Sequence, residues 1–508
     1  MAFSTDERVL KRIYRRKQFV LGPRPVEEPE GWRAVKIAGG NWLVAHLELG
    51  VLTATSDDLS LTLLGYILDP NDPNATDADV VQDLAERVSA GADLFKSLGT
   101  LAGRYLLLLA RPGHAPLLVG DAAGTLTVFH CRVDGETWCA ATADLLADEH
   151  GLQPDPEAAA YISQRKAQVE EFAWPVDTTL YSEVRRLLPN HYLDLASGSV
   201  HRYWPVEPLA QRSVQDVARS AAVRMQAVMA AGARRFDLVV GVSAGLDSRL
   251  MLASTAGSLE RIEFYSGLSK TRGPNHPDLA IPRRMLAGTG AKHHVIPNDG
   301  VVDASFADVF NASLPLGHPH RVAGLSKQLE YFKLTRVATL GNVSENARSK
   351  YLQRKYKQLP PAGLTAEYCG YLEQMEGPFE VRAYARWLEG APDVPGYDKR
   401  DLLFWESRTG SWFASNISEF VIAWQEVFLP YNCRALLTDL MSAPLESRVI
   451  PVTRLYLAVA NELWPALTRF DVNPKSVGKR LRDATYLGLR GIKRGLMRGL
   501  KRRSLHAA

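Results

Sequence analysis

The sequence predicts an α+β sandwich followed by a parallel α/β sheet with a helical C-terminal part. Three observations carry this. At 508 residues the chain is too long for one hydrophobic core, so two domains are expected, with three as the alternative. From about 30 to 205, short apolar runs are separated by turn residues, a mostly β pattern. From about 210 onward, helical patterns alternate with short apolar strands, which argues for parallel pairing.

In the first region the apolar runs are Trp42 to Leu47, Tyr105 to Ala110 and Ala115 to Val119. Pro112-Gly113 and Asp134-Gly135 punctuate them. The stretches Thr127 to Val133 and Thr137 to Thr142 flank Asp134-Gly135-Glu136 and read as a hairpin. Residues 76–98 have a helical pattern, with Thr76 or Asp77 as the cap. In the second region the strands expected are 236–242, 262–266, 293–296 and 337–340, and after about 400 the chain reads as all-helical. No internal repeat or low-complexity segment is found.

Composition narrows the function classes. Hydrophobic content of 46% and charged content of 23% are ordinary globular values. The four cysteines are scattered without a C-x-x-C pair, so neither a zinc site nor a disulfide framework is indicated, and a reducing cytoplasm fits. The polar first residues lack the apolar core of a secretory signal, and no run of about 18 apolar residues is present to span a membrane. The net charge is +4, but residues 475–503 alone carry +10, which leaves −6 for the rest. A mildly acidic body therefore ends in a basic arm.

The chemistry-bearing motif is Ser243-Ala244-Gly245-Leu246-Asp247-Ser248, between an apolar strand and a helix. Small residues let backbone N–H groups close on an anion, and the positive end of the following helix faces it. Ser243 and Ser248 add hydroxyl donors. Asp247 beside a polyphosphate is expected to hold Mg²⁺ against it. The Gly-Lys-Ser/Thr ending of the Walker loop is absent. A plain strand-to-helix turn rich in small residues is the bland alternative.

Ser-x-Gly-x-Asp-Ser after a strand resembles the signature of the N-type ATP pyrophosphatases. Downstream segments narrow the resemblance to the asparagine synthetase-like enzymes: Phe264 to Leu268, Pro277 to Ala280, Gly290 to Ile296, and Leu340 to Tyr351. The family usually has Gly where this chain has Ala244, a tolerable change if no positive φ is required there. The resemblance implies ATP and Mg²⁺ as cofactors. It implies Ser243, Gly245, Asp247, Ser248, Ser266 and Gly341 as nucleotide-binding residues, and Asp247 with Glu345 as metal ligands. Asp247, Glu345 and Lys475 are the implied catalytic group, with Lys479 the alternative to Lys475. In the family's second loop, Asn342 replaces a glutamate proposed as proton acceptor, and Glu345 replaces an aspartate.

The N-terminal half resembles the class II glutaminase domain of the same family through Leu101 to Tyr105, Val119 to Gly124, Asp177 to Tyr181, Leu187 to Tyr192 and Arg202 to Trp204. That activity needs an N-terminal cysteine, and position 2 is Ala2. The family's Asn-Gly-Glu segment falls near Leu63 to Ile67, without its polar residues. A glutaminase-like domain without glutaminase chemistry is expected, with Cys131 and Cys139 as buried strand cysteines.

The domains expected are 1–205, glutaminase-like; 206–480, ATP-pyrophosphatase; and 481–508, a basic tail. Trp405, Arg408, Trp412 and Arg434 are candidates for an acceptor pocket, with helix packing and ion pairs as the alternative. His318 and His320 resemble a metal pair but have no further ligand nearby, which favours two ordinary histidines. The activity implied is amide formation from an adenylated carboxylate, small-molecule or peptide, with an amine or ammonia. Ammonia-dependent asparagine synthesis, intramolecular cyclisation of the β-lactam or lasso-peptide type, and non-catalytic ATP binding are the alternatives. No nucleic-acid partner is expected. A homodimer stays open, as does peripheral membrane contact through an amphipathic helix at 481–500.

Removing residues 481–508 is expected to leave ATP binding nearly unchanged, because the loop at 243–248 has its own core. If the tail binds anionic lipid, co-sedimentation of the intact protein with anionic vesicles should fall steeply with salt. Equal sedimentation of intact and truncated protein at low salt would remove the membrane reading.

Overall fold

A computed structural model describes residues 6–269, 273, 275–352, 363–449 and 454–474. Lys475, Lys479 and the basic tail lie outside them.

The first domain is built on two six-stranded antiparallel sheets. One comprises β1 Phe19–Gly22, β2 Trp32–Lys36, β3 Trp42–His46, β8 Phe129–Val133, β9 Glu136–Ala140 and β10 Arg185–Arg186, in the order β10-β8-β9-β1-β3-β2. The other comprises β4 Val51–Ser56, β5 Leu59–Leu68, β6 Ala102–Ala110, β7 Leu117–Gly120, β11 His191–Asp194 and β12 Val200–Arg202, in the order β12-β11-β7-β6-β5-β4. Both faces of the second sheet are covered. In β6, Leu106 and Leu108 enter the core between the sheets, while Tyr105 and Leu107 pack with Val81 and Leu84 of the helix Asp77–Ser89. A strand buried on both faces reads as an unbroken apolar run rather than an alternation.

The hairpin β8–β9 turns at Asp134 and Gly135, with φ of 52° and 81°. Two successive positive φ values give the turn whose twist matches the strands it joins. The helical stretch expected over 76–98 is two helices, Asp77–Ser89 and Leu94–Leu98, parted at Gly91, where φ is 98°. Thr76 and Asp79 form a reciprocal cap at its start.

The second domain carries a five-stranded parallel sheet: β13 Leu238–Gly241, β14 Glu263–Ser269, β15 His293–Asn298, β16 Val337–Thr339 and β17 Glu426–Phe428, in the order β15-β14-β13-β16-β17. The expected fold class is thus present, with one correction: the region after 400 is not all-helical. Its edge strand β17 is three residues long and sits among helices, too short for periodicity to separate it from helical packing. Helices cover both faces. Val214–Arg235, Leu246–Ser254 and Arg454–Leu463 lie on one; Ala304–Ser313, Pro319–Phe332 and Ala414–Ala423 lie on the other. The N-terminal helix Glu7–Ile13 joins the second face, where Ile13 packs with Phe306 and Phe310. Among the described residues no helix is long and apolar enough to cross a membrane.

The domains meet through buried polar contacts. Glu426, at the start of β17, receives Lys17 at 2.5 Å and Arg104 at 3.2 Å. Arg16 donates to the carbonyls of Val421 at 2.6 Å, Gln425 at 3.1 Å and Trp424. The Tyr66 hydroxyl donates to the Val427 carbonyl at 2.8 Å. A second knot surrounds Glu406, fully buried in the π-helical segment Phe404–Phe413. Its carboxylate accepts from Arg202, from Asn190 at 2.8 Å and from Trp387 at 2.8 Å.

Burial alone would raise the Glu426 carboxyl, but Lys17 and Arg104 outweigh it and hold the group down at about 2, against an ordinary 4.5. A depressed carboxyl contributes stability that is present above its unfolded value and is lost as pH falls through its folded one. Glu426→Gln is therefore expected to cost about 3–5 kcal/mol at pH 7, because Lys17 and Arg104 are left uncompensated. That deficit should shrink as pH falls from 4.5 towards 2, read as the difference in urea midpoints. A deficit independent of pH would contradict the assignment.

Candidate functional site

Strand β13 runs into residues 243–248, and the helix Leu246–Ser254 begins within them. The loop is shaped by its own side chains. Ser248 Oγ accepts from the Ser243 N–H at 3.1 Å and lies 2.9 Å from Ser243 Oγ, which accepts from the Gly245 N–H at 3.1 Å. The Ala244 N–H donates to the Asp278 carboxylate at 3.1 Å. Ala244 is not among the residues with positive φ, so alanine fits where the family usually has glycine. Gly245 is the N-cap of the helix and brings no side-chain cap. The first-turn N–H groups are thereby left for an anion.

Opposite this loop lies the one that follows β16. Gly341 approaches the helix so closely that a Cβ there would sit 3.1 Å from Met251 Cγ and 3.6 Å from the Asp247 carbonyl oxygen. Just beyond it, Ser344 Oγ donates to Asp247 Oδ1 at 3.0 Å and Arg348 Nη1 donates to Asp247 Oδ2 at 2.5 Å. Burial lowers the proton affinity of Arg348, but Asp247, Tyr456 and Glu345 outweigh it and the net shift is upward. Glu345 is 3.4 Å from Lys350. The Tyr456 hydroxyl holds the Ser344 carbonyl at 2.6 Å.

A third segment closes the site. Arg249, fully buried, donates to the carbonyls of Asp471 at 2.7 Å, Leu467 at 3.4 Å and Phe470. This clamps the chain after the short helix Pro465–Arg469 against the loop, and the Asn473 N–H reaches the Ala244 carbonyl at 3.0 Å. The described chain stops at Pro474, one residue before Lys475, which bears on no geometry here.

Ser243, Gly245, Asp247, Ser248, Gly341 and Glu345 thus lie on two facing loops. Ser266 lies behind them on β14, 3% exposed, its hydroxyl spent on the Val242 carbonyl at 2.8 Å and on His293 at 2.9 Å. Burial, then Arg283 and His294, push His293 down to about 4, so it is neutral at pH 7. Arg348, Arg249 and Asp278 were not singled out by sequence. The Arg348 partner stands 101 residues away, and local spacing carries no trace of such a pair.

Two of the candidate acceptor-pocket residues, Trp405 and Arg434, do other work. Trp405 is fully buried and donates to the Ala122 carbonyl at 2.7 Å, and Arg434 binds Asn190 and, at 2.7 Å, Tyr203. Both join the domains. Arg408 stacks on Trp412 at 4.2 Å. His318 lies between the Glu419 carboxylate at 2.7 Å and the Phe172 carbonyl at 3.1 Å, and His320 contacts Glu171 at 2.9 Å. No group of three or more His, Cys, Asp or Glu able to hold a metal occurs among the described residues. All four cysteines are buried, and burial first of all pushes the Cys131 thiol up to about 11 and Cys139 higher. None is poised as a nucleophile.

The donor set around Asp247 fits magnesium that arrives with a nucleotide and does not fit a resident ion. One carboxylate already shared with an arginine makes no cage, whereas Mg²⁺ commonly needs only one or two carboxylates when phosphates supply the rest.

No family model and no curated protein matches this chain. Solved structures do. One is the glutamine-dependent NAD⁺ synthetase from Acinetobacter baumannii in complex with ADP, at 9% identity and a TM-score of 0.19, covering 44% of this chain and 41% of that one. This chain therefore spans about two fifths of that synthetase. A second is an allosteric regulatory enzyme of purine biosynthesis, at 14% identity and a TM-score of 0.24, covering 61% and 74%. A third is glutamine phosphoribosylpyrophosphate amidotransferase from B. subtilis complexed with ADP and GMP, at 10% and 0.24, covering 63% and 93%. Similarity at this level carries no statement about activity, and the architecture rests on the sheets themselves.

Arg249→Met is expected to destabilise the protein by about 2–4 kcal/mol, since buried carbonyls lose a charged donor, and to open the 465–474 segment to proteolysis. Unchanged protease resistance together with an unchanged Tm would show that the clamp does not hold this segment.

Proposed function

We propose that this protein is an ATP-dependent ligase that adenylates a carboxylate, releases pyrophosphate and forms an amide with an amine or ammonia, without using glutamine. The observation that supports it most is the uncapped start of the helix Leu246–Ser254, set behind a parallel strand and framed by Ser243 and Ser248. The motif's resemblance to the asparagine synthetase-like enzymes points the same way.

In this reading the loop N–H groups and the two serine hydroxyls bind the phosphates. Arg348 leaves Asp247 when a polyphosphate enters and turns its charge to the departing pyrophosphate. Asp247, released, and Glu345 would hold Mg²⁺, which when bound offsets phosphate charge and assists the leaving group. The acceptor carboxylate attacks the α-phosphorus, pyrophosphate leaves, and the amine then displaces AMP from the acyl-adenylate. Lys475 remains the candidate for a further phosphate contact. Asparagine synthesis from ammonia and intramolecular cyclisation are special cases of the same chemistry.

A second reading, a non-catalytic ATP-binding relative, is favoured by Asn342, which cannot take a proton, and by the Asp247–Arg348 pair. Pyrophosphate release from ATP, measured against a panel of carboxylates and amines, separates the two. Release that depends on a carboxylate and is abolished in Asp247→Ala is the expected result, and glutamine should yield no glutamate above a no-enzyme control. ATP binding with no pyrophosphate from any pair would favour the second reading, and turnover by Asp247→Ala at the wild-type rate would remove Asp247 from the site.

A further inference from the structure

A cavity of about 80 Å³ lies between the two domains, separate from the phosphate loop. The sandwich contributes Phe129, Asp144 and, on β10, Arg186, the connection after the helix Pro156–Gln168 contributes Trp174, and the second domain contributes Ser415 and Glu419. The unusual member is Arg186. It is 4% exposed, donates to the Gly410 carbonyl at 3.2 Å and to Ser415 Oγ at 3.0 Å, and lies 4.4 Å over the Phe129 ring. Its Nε has no acceptor, and none of its hydrogen bonds goes to a carboxylate.

An ionised group taken out of water is normally paired with an opposite charge. Arg186 stays a cation at pH 7, since burial lowers it only to about 9. Neither acid that lines the cavity is a hydrogen-bond partner of Arg186. Glu419 Oε1 accepts from the His318 backbone at 2.9 Å and from His318 Nδ1 at 2.7 Å, and its Oε2, buried without a hydrogen-bond partner, lies 3.7 Å from Arg321. Asp144 accepts from the Tyr181 hydroxyl at 3.0 Å, and burial, with Asp148 beside it, raises its carboxyl above the ordinary value. The Arg186 guanidinium therefore stands in the cavity wall without a carboxylate partner, held by β10 and a serine, with the Phe129 ring next to it.

We propose that this interdomain cavity binds a small organic carboxylate, with its oxygens on the Arg186 guanidinium and Ser415 and its hydrocarbon part against the aromatic wall. The volume suits a molecule of a few non-hydrogen atoms and excludes a nucleotide. Contact with elements of both domains means that occupancy stabilises their association. The inference does not depend on the ligase reading, because none of these residues belongs to the phosphate loop or to the loop facing it.

The test uses the full chain, dialysed free of buffer carboxylates and titrated with acetate and propionate in parallel with the isosteric neutral acetamide and propionamide. Tryptophan fluorescence, to which Trp174 and Trp412 contribute from the cavity wall, and Tm are followed together. The carboxylates should give a saturable fluorescence change and a rise in Tm, and the amides neither. Arg186→Lys, which keeps the charge but loses the planar fork, should weaken binding about tenfold, and Arg186→Met should abolish it. Ser415→Ala, which leaves the arginine in place, should weaken it less than Arg186→Lys and covers the case in which the Arg186 variants fail to fold. Equal responses to carboxylates and amides, no saturation in the wild type, or unaltered affinity in Ser415→Ala and Arg186→Met would overturn the proposal.

Discussion

The salt-bridged carboxylate of Glu426 fixes how the two halves of this protein meet. Lys17 and Arg104 reach it from the sandwich, and it opens the edge strand of the parallel sheet. That strand pairs with β16, and β16 leads directly into the loop that faces Asp247. Attractions inside low-dielectric protein are strong, but so is the cost of misplacing any partner. The register of the seam is therefore narrowly determined, and through two neighbouring strands it also sets where Ser344 and Arg348 stand. The sandwich is thereby tied mechanically to the loop that faces Asp247.

The strand-to-helix loop at 243–248 was legible in the sequence because its residues are local. Small residues, two hydroxyls and a carboxylate within six positions, between a strand and a helix, leave few other arrangements. The parallel strands β13 to β16 were legible for the same reason, each being an apolar run bounded by helical pattern. What was hidden depends on distance along the chain. Arg348 reads as an ordinary cation until the fold brings it to Asp247. Trp405 and Arg434 stay open between pocket and packing in the sequence because aromatic and guanidinium groups suit both recognition and seam packing, and only burial and partners tell these uses apart. Strand β17 was missed because three residues carry no period.

Charge is balanced locally in the site. Asp247 meets Arg348, and Glu345 meets Lys350. A highly charged ligand arriving at such a centre exchanges partners rather than filling an empty field. The cations then serve the ligand, and the carboxylates are released for whatever counter-charge the ligand carries with it. Under the function proposed above, a polyphosphate would be preferred to a simple anion, since only a ligand of several charges compensates the breaking of both pairs.

The helix Glu7–Ile13 crosses from the sandwich to the far face of the other domain, where its partners lie in Ala304–Ser313. During synthesis this helix thus waits for a surface made nearly three hundred residues later, roughly 15–60 s at 5–20 residues per second. Arg16 and Lys17 wait longer still, for residues 421–426. During synthesis this basic, amphipathic end is without its destination and is open to chaperones or to a neighbouring nascent chain. Assembly therefore does not follow chain order strictly: Glu7–Ile13 is put in place only after Ala304–Ser313 has been made, and a chain halted after the sandwich would leave that helix undocked.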